Sequence, residues 1–475
     1  MSWEAVIGIE VHVQLRTERK LFCGDRALFG AQPNTHVCPV CLGLPGALPT
    51  LNPRAVELAV RTALALDCDV HPRSVWARKN YFYPDLPKGY QITQFEEPLA
   101  TNGRVEYDGE AGVSSVRIRR IHMEEDAGKS VHDRIPGATA VDLNRAGTPL
   151  VEIVTEPDLR GPSDARAFLA CLKQILEYVD VSDCNMEEGS LRADANVSVR
   201  EAGETGLGTK TEIKNVNSFS GIERALELEI RRQVEVREAG GTIRGETLLW
   251  DDHAGALRTM RSKEDSPDYR YFPEPDLPPL VISDGLIAAT GAALPELPRA
   301  RRARFRREYT LSDYDAGVLT QSAAVADYYE TVARVSSDAK RAANWVMGPV
   351  QALLNARGVR LDALGVSPSA LSELLDLVAE GTISEGVGKQ VLEAMADGDG
   401  SAAEIVAARG LEQVRDDEQL VTWVDEVVDA HPEESERVRG GEDRLVGFLV
   451  GQVMRRSGGK ADPRRVNELL RARLS

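Results

Sequence analysis

A chain of 475 residues exceeds what one hydrophobic core organises, so two or three domains are expected. With 42% hydrophobic and 28% charged residues it has the composition of a folded globular protein rather than a disordered one. The formal charge of −18 excludes a protein that coats nucleic acid by general electrostatics, so an RNA partner has to be held by locally placed Lys and Arg. Met1-Ser2-Trp3-Glu4 shows neither the basic segment nor the cleavage site of a signal peptide, and no apolar run approaches the ~20 residues of a spanning helix. Six cysteines in a chain this long are no disulfide framework; the cytoplasm is the expected compartment.

From Ile7 to Leu15, apolar Ile7, Ile9, Val11, Val13 and Leu15 alternate with Gly8, Glu10, His12 and Gln14. That period of two predicts a strand with Glu10 and His12 neighbours on its polar face. Cys23, Cys38 and Cys41 have the spacing of a small zinc knuckle, with Asp25 or His36 as fourth ligand; a set of free thiols is the competing reading. Cys68, Cys171 and Cys184 read as ordinary buried residues.

The segment His122 to Ser130 ends in Gly128-Lys129-Ser130, like a phosphate-binding loop, but has Met123 where that motif needs glycine. Its acids Glu124, Glu125 and Asp126 with Lys129 suit Mg²⁺ and a phosphate; the alternative is the first turn of a helix, whose dipole favours acids. Leu150 to Val154 is an apolar strand broken by Glu152, costly to bury unless paired or metal-bound.

Ser163 is the expected cap of a helix carrying Phe168, Leu172, Ile175, Leu176 and Val179. Leu191 to Arg200 again alternates, with Arg192, Asp194, Asn196 and Ser198 on one face; Lys210, Glu212 and Lys214 share another. A solvated outer face explains each strand singly, but fits Glu152 badly and weakens as strands of like chemistry accumulate.

A second helix through Ile222, Leu226, Ile230 and Val234 should stop at Gly240-Gly241. The proline-rich stretch Ser266 to Leu280 reads as a linker, as a polyproline-type ligand, or as a segment packed through Tyr269, Tyr271 and Phe272. Near residue 293 the character changes to short helices, with caps expected at Ser367 and Ser401. Two arginine clusters stand out, Arg299 to Arg307 and Arg455 to Arg473. Each is by default a solvated helix face; the second, with its Gly458-Gly459 turn, is the better RNA contact.

Several of these segments resemble the B-type subunits of the glutamine-dependent aspartyl/glutamyl-tRNA amidotransferases. The matching stretches are Val6 to Leu15, Cys38 to Pro45, Arg78 to Asp85, His122 to Ser130, Asp142 to Val154, Met186 to Asn196, Asp268 to Pro275 and Phe448 to Met454. The resemblance implies an α+β fold: a cradle-like domain with a mixed or antiparallel sheet (residues 1–292), an all-α helical domain (293–408) and a small helical tail (409–475). It implies ATP and Mg²⁺ as cofactors, a glutaminase (A) subunit and a small C subunit as partners in a heterotrimer, and tRNA(Asn) or tRNA(Gln) carrying Asp or Glu as substrate. Carried over by motif, Glu10, His12, Lys79, Glu124, Glu125, Glu152 and Asp194 are the catalytic candidates, with Glu10, His12, Glu125 and Glu152 as Mg²⁺ ligands. Asp85, Asp126, Lys129 and Arg192 are cofactor-binding candidates, and Arg455, Arg456, Lys460, Arg464 and Arg465 tRNA-binding ones. Zinc-bearing relatives often have Cys-Gly-Cys where this chain has Cys23-Gly24-Asp25, so Cys23, Asp25, Cys38 and Cys41 form the candidate zinc set. A non-catalytic scaffold that positions tRNA for a partner enzyme is the alternative function.

Overall fold

The computed structural model describes residues 2–262, 268–336, 338–414 and 417–474. Of the proline-rich stretch, Ser266 and Pro267 lie outside the described residues.

A first compact unit, Met1–Leu297, begins with β1 (Trp3–Gln14) and α1 (Pro53–Ala65). Then come β2 (Asp69–Val70), β3 (Arg73–Ser74), β4 (Trp76–Asn80) and β5 (Tyr90–Gln94). The hairpin of β6 (Ala100–Gly109) and β7 (Gly112–Glu125) leads to a second, β8 (Lys129–Ile135) with β9 (Ala138–Asp142), and on to β10 (Pro149–Thr155). After α2 (Pro162–Tyr178) follow β11 (Leu191–Glu201), β12 (Thr211–Val216), α3 (Phe219–Glu238), β13 (Glu246–Asp251) and β14 (Ala256–Ser262). Short β15 (Phe272–Pro273), β16 (Leu280–Val281) and α4 (Asp284–Ala292) complete the unit.

Among the described residues, nine strands form one mixed sheet in the order β14-β13-β12-β11-β1-β10-β7-β6-β2, antiparallel except where β12 runs beside β13. The apolar face is the core: Ile7, Ile9, Val11 and Val13 meet Val151, Ile153, Ile121 and Met123, covered by Phe168 and Leu172 of α2 and Ile222 and Leu226 of α3. Burying this alternating set drives the sheet to form, at about 25 cal/mol per Å² of apolar surface. The polar face is not left to solvent near its centre. There β5 crosses the end of β7: Gln94 accepts from the Met123 amide (3.0 Å) and Gln91 donates to the Glu125 carbonyl (2.6 Å). The carboxylates beneath are therefore buried, unlike a solvated outer face.

One local expectation is corrected, and two readings left open by the sequence are decided. Gly161, not Ser163, is the cap of α2; Pro162 occupies the first turn, where its missing N–H costs nothing, and Ser163 follows it inside the helix. The acids Glu124 and Glu125 end strand β7 instead of opening a helix. The proline-rich stretch is no free linker: Phe272 pairs with Arg78 across β15 and β4, and Tyr271 stacks on Phe95. By contrast α3 ends as expected, with Gly240 at φ +76°.

The second unit, Pro298–Ser475, is helical. It comprises α5 (Pro298–Glu308), α6 (Asp313–Leu319), α7 (Ala323–Val335), α8 (Ala339–Trp345), α9 (Gln351–Arg357), α10 (Pro368–Ala379), α11 (Glu385–Ala396) and α12 (Ala402–Arg409), around a cluster that includes Phe305, Tyr329, Leu371 and Val391. A π-turn at Val346–Val350 accommodates Pro349 between α8 and α9. Then α13 (Asp417–Ala430), α14 (Pro432–Arg439), α15 (Val446–Arg456) and α16 (Pro463–Leu474) enclose a separate cluster with Leu420, Leu449, Val466 and Leu470. Ser367 and Ser401 cap their helices, the latter in a reciprocal box with Glu404. No helix of the described residues is long and apolar enough to cross a membrane.

Candidate active site

The register of three strands builds the site. His12 of β1 stands opposite Glu152 of β10, and Glu152 opposite His122 of β7, so three side chains from distant segments form one row across the polar face. Glu152 lies 3.4 Å from His12 Nε2 and 3.2 Å from His122 Nε2. Glu124, two residues along β7 from His122 and so on the same face, comes within 3.7 Å of His12 and 3.9 Å of His122. One ligand atom each from His12, Glu124 and Glu152 all fall within 4.8 Å of one another.

The close pairing of Glu152 with its neighbours shifts its own titration and that of His12. Burial opposes ionisation of Glu152, but the charge of His122 and the hydrogen bond from His12 hold it well below the ordinary carboxylate value. Burial likewise opposes the His12 imidazolium; Glu152 and then Glu124 outweigh it and lift His12 to about 9. Glu10 is pushed up, by burial first and by Glu152 next, and accepts a hydrogen bond from Asn196 (3.0 Å). Lys79 reaches the same pocket: against its burial, Glu124, Tyr271 and Glu152 favour its charged form, and its Nζ is 4.9 Å from the Tyr269 ring centre.

The remaining candidates divide. Asp194 is bound to Lys214 (2.7 Å), which also meets Glu212 (2.9 Å). Asp126 is buried and accepts from Gln14 (2.9 Å) and Arg192 (3.0 Å), with Arg145 at 3.6 Å; the two arginines and Gln14 overcome its burial and lower its pKa. These residues hold one another at the rim of the row. Glu125 does not join the His12–Glu124–Glu152 group. One residue on from Glu124 it emerges on the opposite side of the strand, where it binds Lys88 and the Ile92 amide (3.0 Å). Asp85 accepts from Ser130 (3.0 Å), and Lys129 is exposed on the β8–β9 hairpin.

A second group is set apart. Cys23, Asp25, Cys38 and Cys41 each offer a ligand atom within 4.8 Å of the others. Cys41 Sγ is 3.4 Å from Cys23 Sγ, 3.6 Å from Cys38 Sγ and 3.3 Å from Asp25 Oδ2. A tetrahedron with Zn–S bonds of about 2.3 Å has edges of roughly 3.8 Å, so the donor set fits that ion. His36, the other candidate for a fourth ligand, stands outside this group; its carbonyl accepts from buried Lys20 (2.7 Å), whose Nζ also lies 3.4 Å from Cys41 Sγ.

Against this geometry stand the comparisons with known proteins. The family described as the GatB/GatE catalytic domain matches residues 5–288, and the GatB domain matches residues 327–474. The B subunit of the aspartyl/glutamyl-tRNA(Asn/Gln) amidotransferase from Myxococcus xanthus is 52% identical over 100% of this chain and 99% of its own length. Its counterpart from Geobacter sulfurreducens is 52% identical with 100% of both chains covered, and that from Moorella thermoacetica the same. The chain belongs to the GatB family. The two histidines and two acids of the row all fall inside the matched catalytic domain.

His122 is the member that sequence reasoning passed over, although its place two residues before Glu124 on an alternating strand was the signal. Lys88 and Lys20 gave none, since each acquires meaning only from a partner far along the chain. In the first arginine cluster Arg301 and Arg304 converge on Glu330, and Arg302 and Arg306 on Asp313. In the tail, Arg456 pairs with Glu426 and Arg465 with Asp417. Arg455 and Arg464 instead line a cleft of about 930 Å³, with Gly458 and Gly459, both at positive φ. Lys460 follows that turn, and Arg464 to Arg473 lie within helix α16.

Proposed function

We propose that this chain is the ATP-dependent catalytic component that converts Asp or Glu, already esterified to tRNA(Asn) or tRNA(Gln), into the corresponding amide. Ammonia would come from a partner glutaminase, with a small third protein completing a heterotrimer. The observation that carries this reading is the convergence of His12, Glu124 and Glu152 beside Lys79 on one buried sheet face.

A side-chain carboxylate is a poor acyl donor because its leaving group would be oxide. Transfer of the ATP γ-phosphoryl to a carboxylate oxygen breaks the bond to the β-phosphate and releases ADP. Ammonia then attacks the acyl carbon, the C–O bond to phosphate breaks, and the nitrogen sheds a proton. Such chemistry needs positioning and charge neutralisation more than covalent help.

The residues present suit a divalent cation: on an octahedral ion with bonds of about 2.1 Å, ligand atoms sit roughly 3 to 4 Å apart, comparable to the spacing of this group. Glu124 and Glu152 would hold Mg²⁺, with His12 or an intervening water beside them, and the ion would neutralise phosphoryl oxygens. Lys79 adds a fixed ammonium at the same place. Arg192, clamped by Asp126, borders the pocket without needing to reorganise. Because β5 covers the end of β7, water is excluded from one side, which protects an acyl phosphate from hydrolysis. The thiol group with Asp25 would hold a structural zinc.

Glu152→Gln in the assembled enzyme is the test. ATP-dependent amidation of Glu-tRNA should fall by about 10²-fold or more, while the partner's glutamine hydrolysis stays measurable. Wild-type amidation rates in this variant would overturn the assignment.

A further inference from the structure

Lys20 is fully buried, yet the chemistry of the carboxylate row makes no use of its charge. The turn that follows it sets it against the thiol group: its amide donates to the Asp25 carbonyl (2.9 Å), and a bridge between Arg19 and Arg26 closes the same turn. Its stem lies along Gly147, where a methyl group would come within 3.4 Å of Lys20 Cδ. The ammonium is thereby directed at two acceptors, the His36 carbonyl (2.7 Å) and Cys41 Sγ (3.4 Å). Both belong to a different segment from Lys20, Cys23 and Asp25, and the His36 amide is itself held by Asn144 (2.9 Å). Burying an ammonium is costly unless an anion answers it, and of the two acceptors only a thiolate is one. Cys41 is also the sulfur most in need of a partner. It is buried where Cys23 and Cys38 are half-buried, and it meets all three of the other ligand atoms.

We propose that Lys20 is the positioning residue of the thiol centre. Its ammonium donates to the Cys41 thiolate of a bound zinc ion and to the His36 carbonyl, offsetting charge on the buried sulfur and tying together the two segments that supply the ligands. The inference rests on the structural zinc proposed above and adds the residue that holds it. Three thiolates and a carboxylate bring more negative charge than a divalent ion neutralises. Water can solvate the excess on half-buried Cys23 and Cys38 but not on Cys41, so a fixed cation has to answer it there. A hydrogen bond from an ammonium to a thiolate is charge-assisted, and outer partners of this kind orient metal ligands and tune the affinity of the site. Packing alone is the competing role, because Lys20 also fills the space beside Gly147, and the experiment separates the two.

The full-length chain is prepared as wild type, Lys20→Met, Lys20→Gln and Asn34→Gly. Asn34 has φ +60°, which glycine adopts freely, and its side chain ties the segment of His36 to the Val141 carbonyl (2.9 Å) and the Leu143 amide (2.8 Å). Zinc affinity is measured by competition with a chelator, and cobalt(II) is bound as a spectroscopic probe of the ligand sulfurs. Both Lys20 variants should bind zinc about 10- to 100-fold more weakly than wild type. Their sulfur-to-cobalt charge-transfer band should move to longer wavelength, because a thiolate relieved of its hydrogen bond gives up an electron more readily. Asn34→Gly loosens the same segment and should leave that band in place. Wild-type zinc affinity in the Lys20 variants overturns the proposal. So does weaker binding with an unmoved band, which would make Lys20 a packing residue. Lys20→Gln can still donate to His36 but carries no charge, so it reads the effect even if Lys20→Met, which leaves that carbonyl unpaired, prevents folding. A wild-type chain that binds no zinc overturns the structural-zinc reading and this inference with it, an outcome that neither Lys20 result imitates.

Discussion

Glu330→Gln separates a structural from an RNA-binding role for the arginine-rich helix α5. Glu330 is only 6% exposed and accepts from Arg301 (2.9 Å), Arg304 (2.8 and 3.0 Å) and Arg334 (2.5 Å). Burial opposes its ionisation, but Arg304 and Arg301 prevail and hold it at about 2 instead of 4.5. A carboxyl lowered by that much contributes about 3 kcal/mol at neutral pH, and the exposure of Arg334 trims this to about 2 kcal/mol. Because the folded-state value is the lower one, the contribution is complete above the unfolded value of 4.5 and is lost as pH falls from there toward 2. Urea unfolding followed by tryptophan fluorescence in a variant that keeps Trp345 as its one tryptophan, from about pH 7 down to about pH 2.5, reads it directly. The variant should lose about 2 kcal/mol at neutral pH, because Arg301 and Arg304 lose the buried carboxylate they share and Arg301 keeps only the exposed Asp327, and should lose less further stability than wild type in acid. Equal stability at neutral pH, or an unchanged acid dependence, would refute the reasoning and return α5 to the pool of free basic surfaces.

Other outcomes follow from the same geometry. The chain should bind about one zinc per molecule, released by a thiol-specific reagent and abolished in Cys41→Ser; metal analysis showing an equal content in that variant would exclude the thiol site. Arg455→Ala and Arg464→Ala should each weaken tRNA binding and reduce the slope of log K against log salt by about one, whereas Arg456→Ala, whose partner is Glu426, should leave that slope unchanged; salt titrations decide it. Asp126→Ala removes the acceptor of both Gln14 and Arg192, and should cost about 2–4 kcal/mol of stability as well as activity, checked by denaturant unfolding alongside amidation.

Much of the first unit was legible because strands advertise themselves. The alternation through Glu10 and His12 gave β1 and its polar face, and the single acid in Leu150 to Val154 marked Glu152 as needing partners. What alternation does not carry is which strand lies beside which. The pairing of His12 with Glu152 joins segments far apart in the chain, and no local signal sets that register or the one between Glu152 and His122. The choice between Glu124 and Glu125 was within reach, since only Glu124 shares a face with His122, but a helix turn and a strand end look alike over three acids. Helix caps were readable where serine caps, as at Ser401, and misread at Ser163, where Pro162 already starts the helix. The arginine clusters show the limit most plainly: a run of charge looks the same whether its partners are phosphates or, as for Arg301 and Arg465, carboxylates contributed by other helices.

The most direct test of the account follows the oxygen of the substrate carboxylate. Glu-tRNA labelled with ¹⁸O in both side-chain oxygens is amidated by the assembled enzyme with ATP, and the inorganic phosphate is examined by mass spectrometry. If the carboxylate is activated as an acyl phosphate, one ¹⁸O appears in phosphate for each amide formed, and Glu152→Gln yields neither. Amide formation with unlabelled phosphate would contradict the mechanism assigned to the His12–Glu124–Glu152 row.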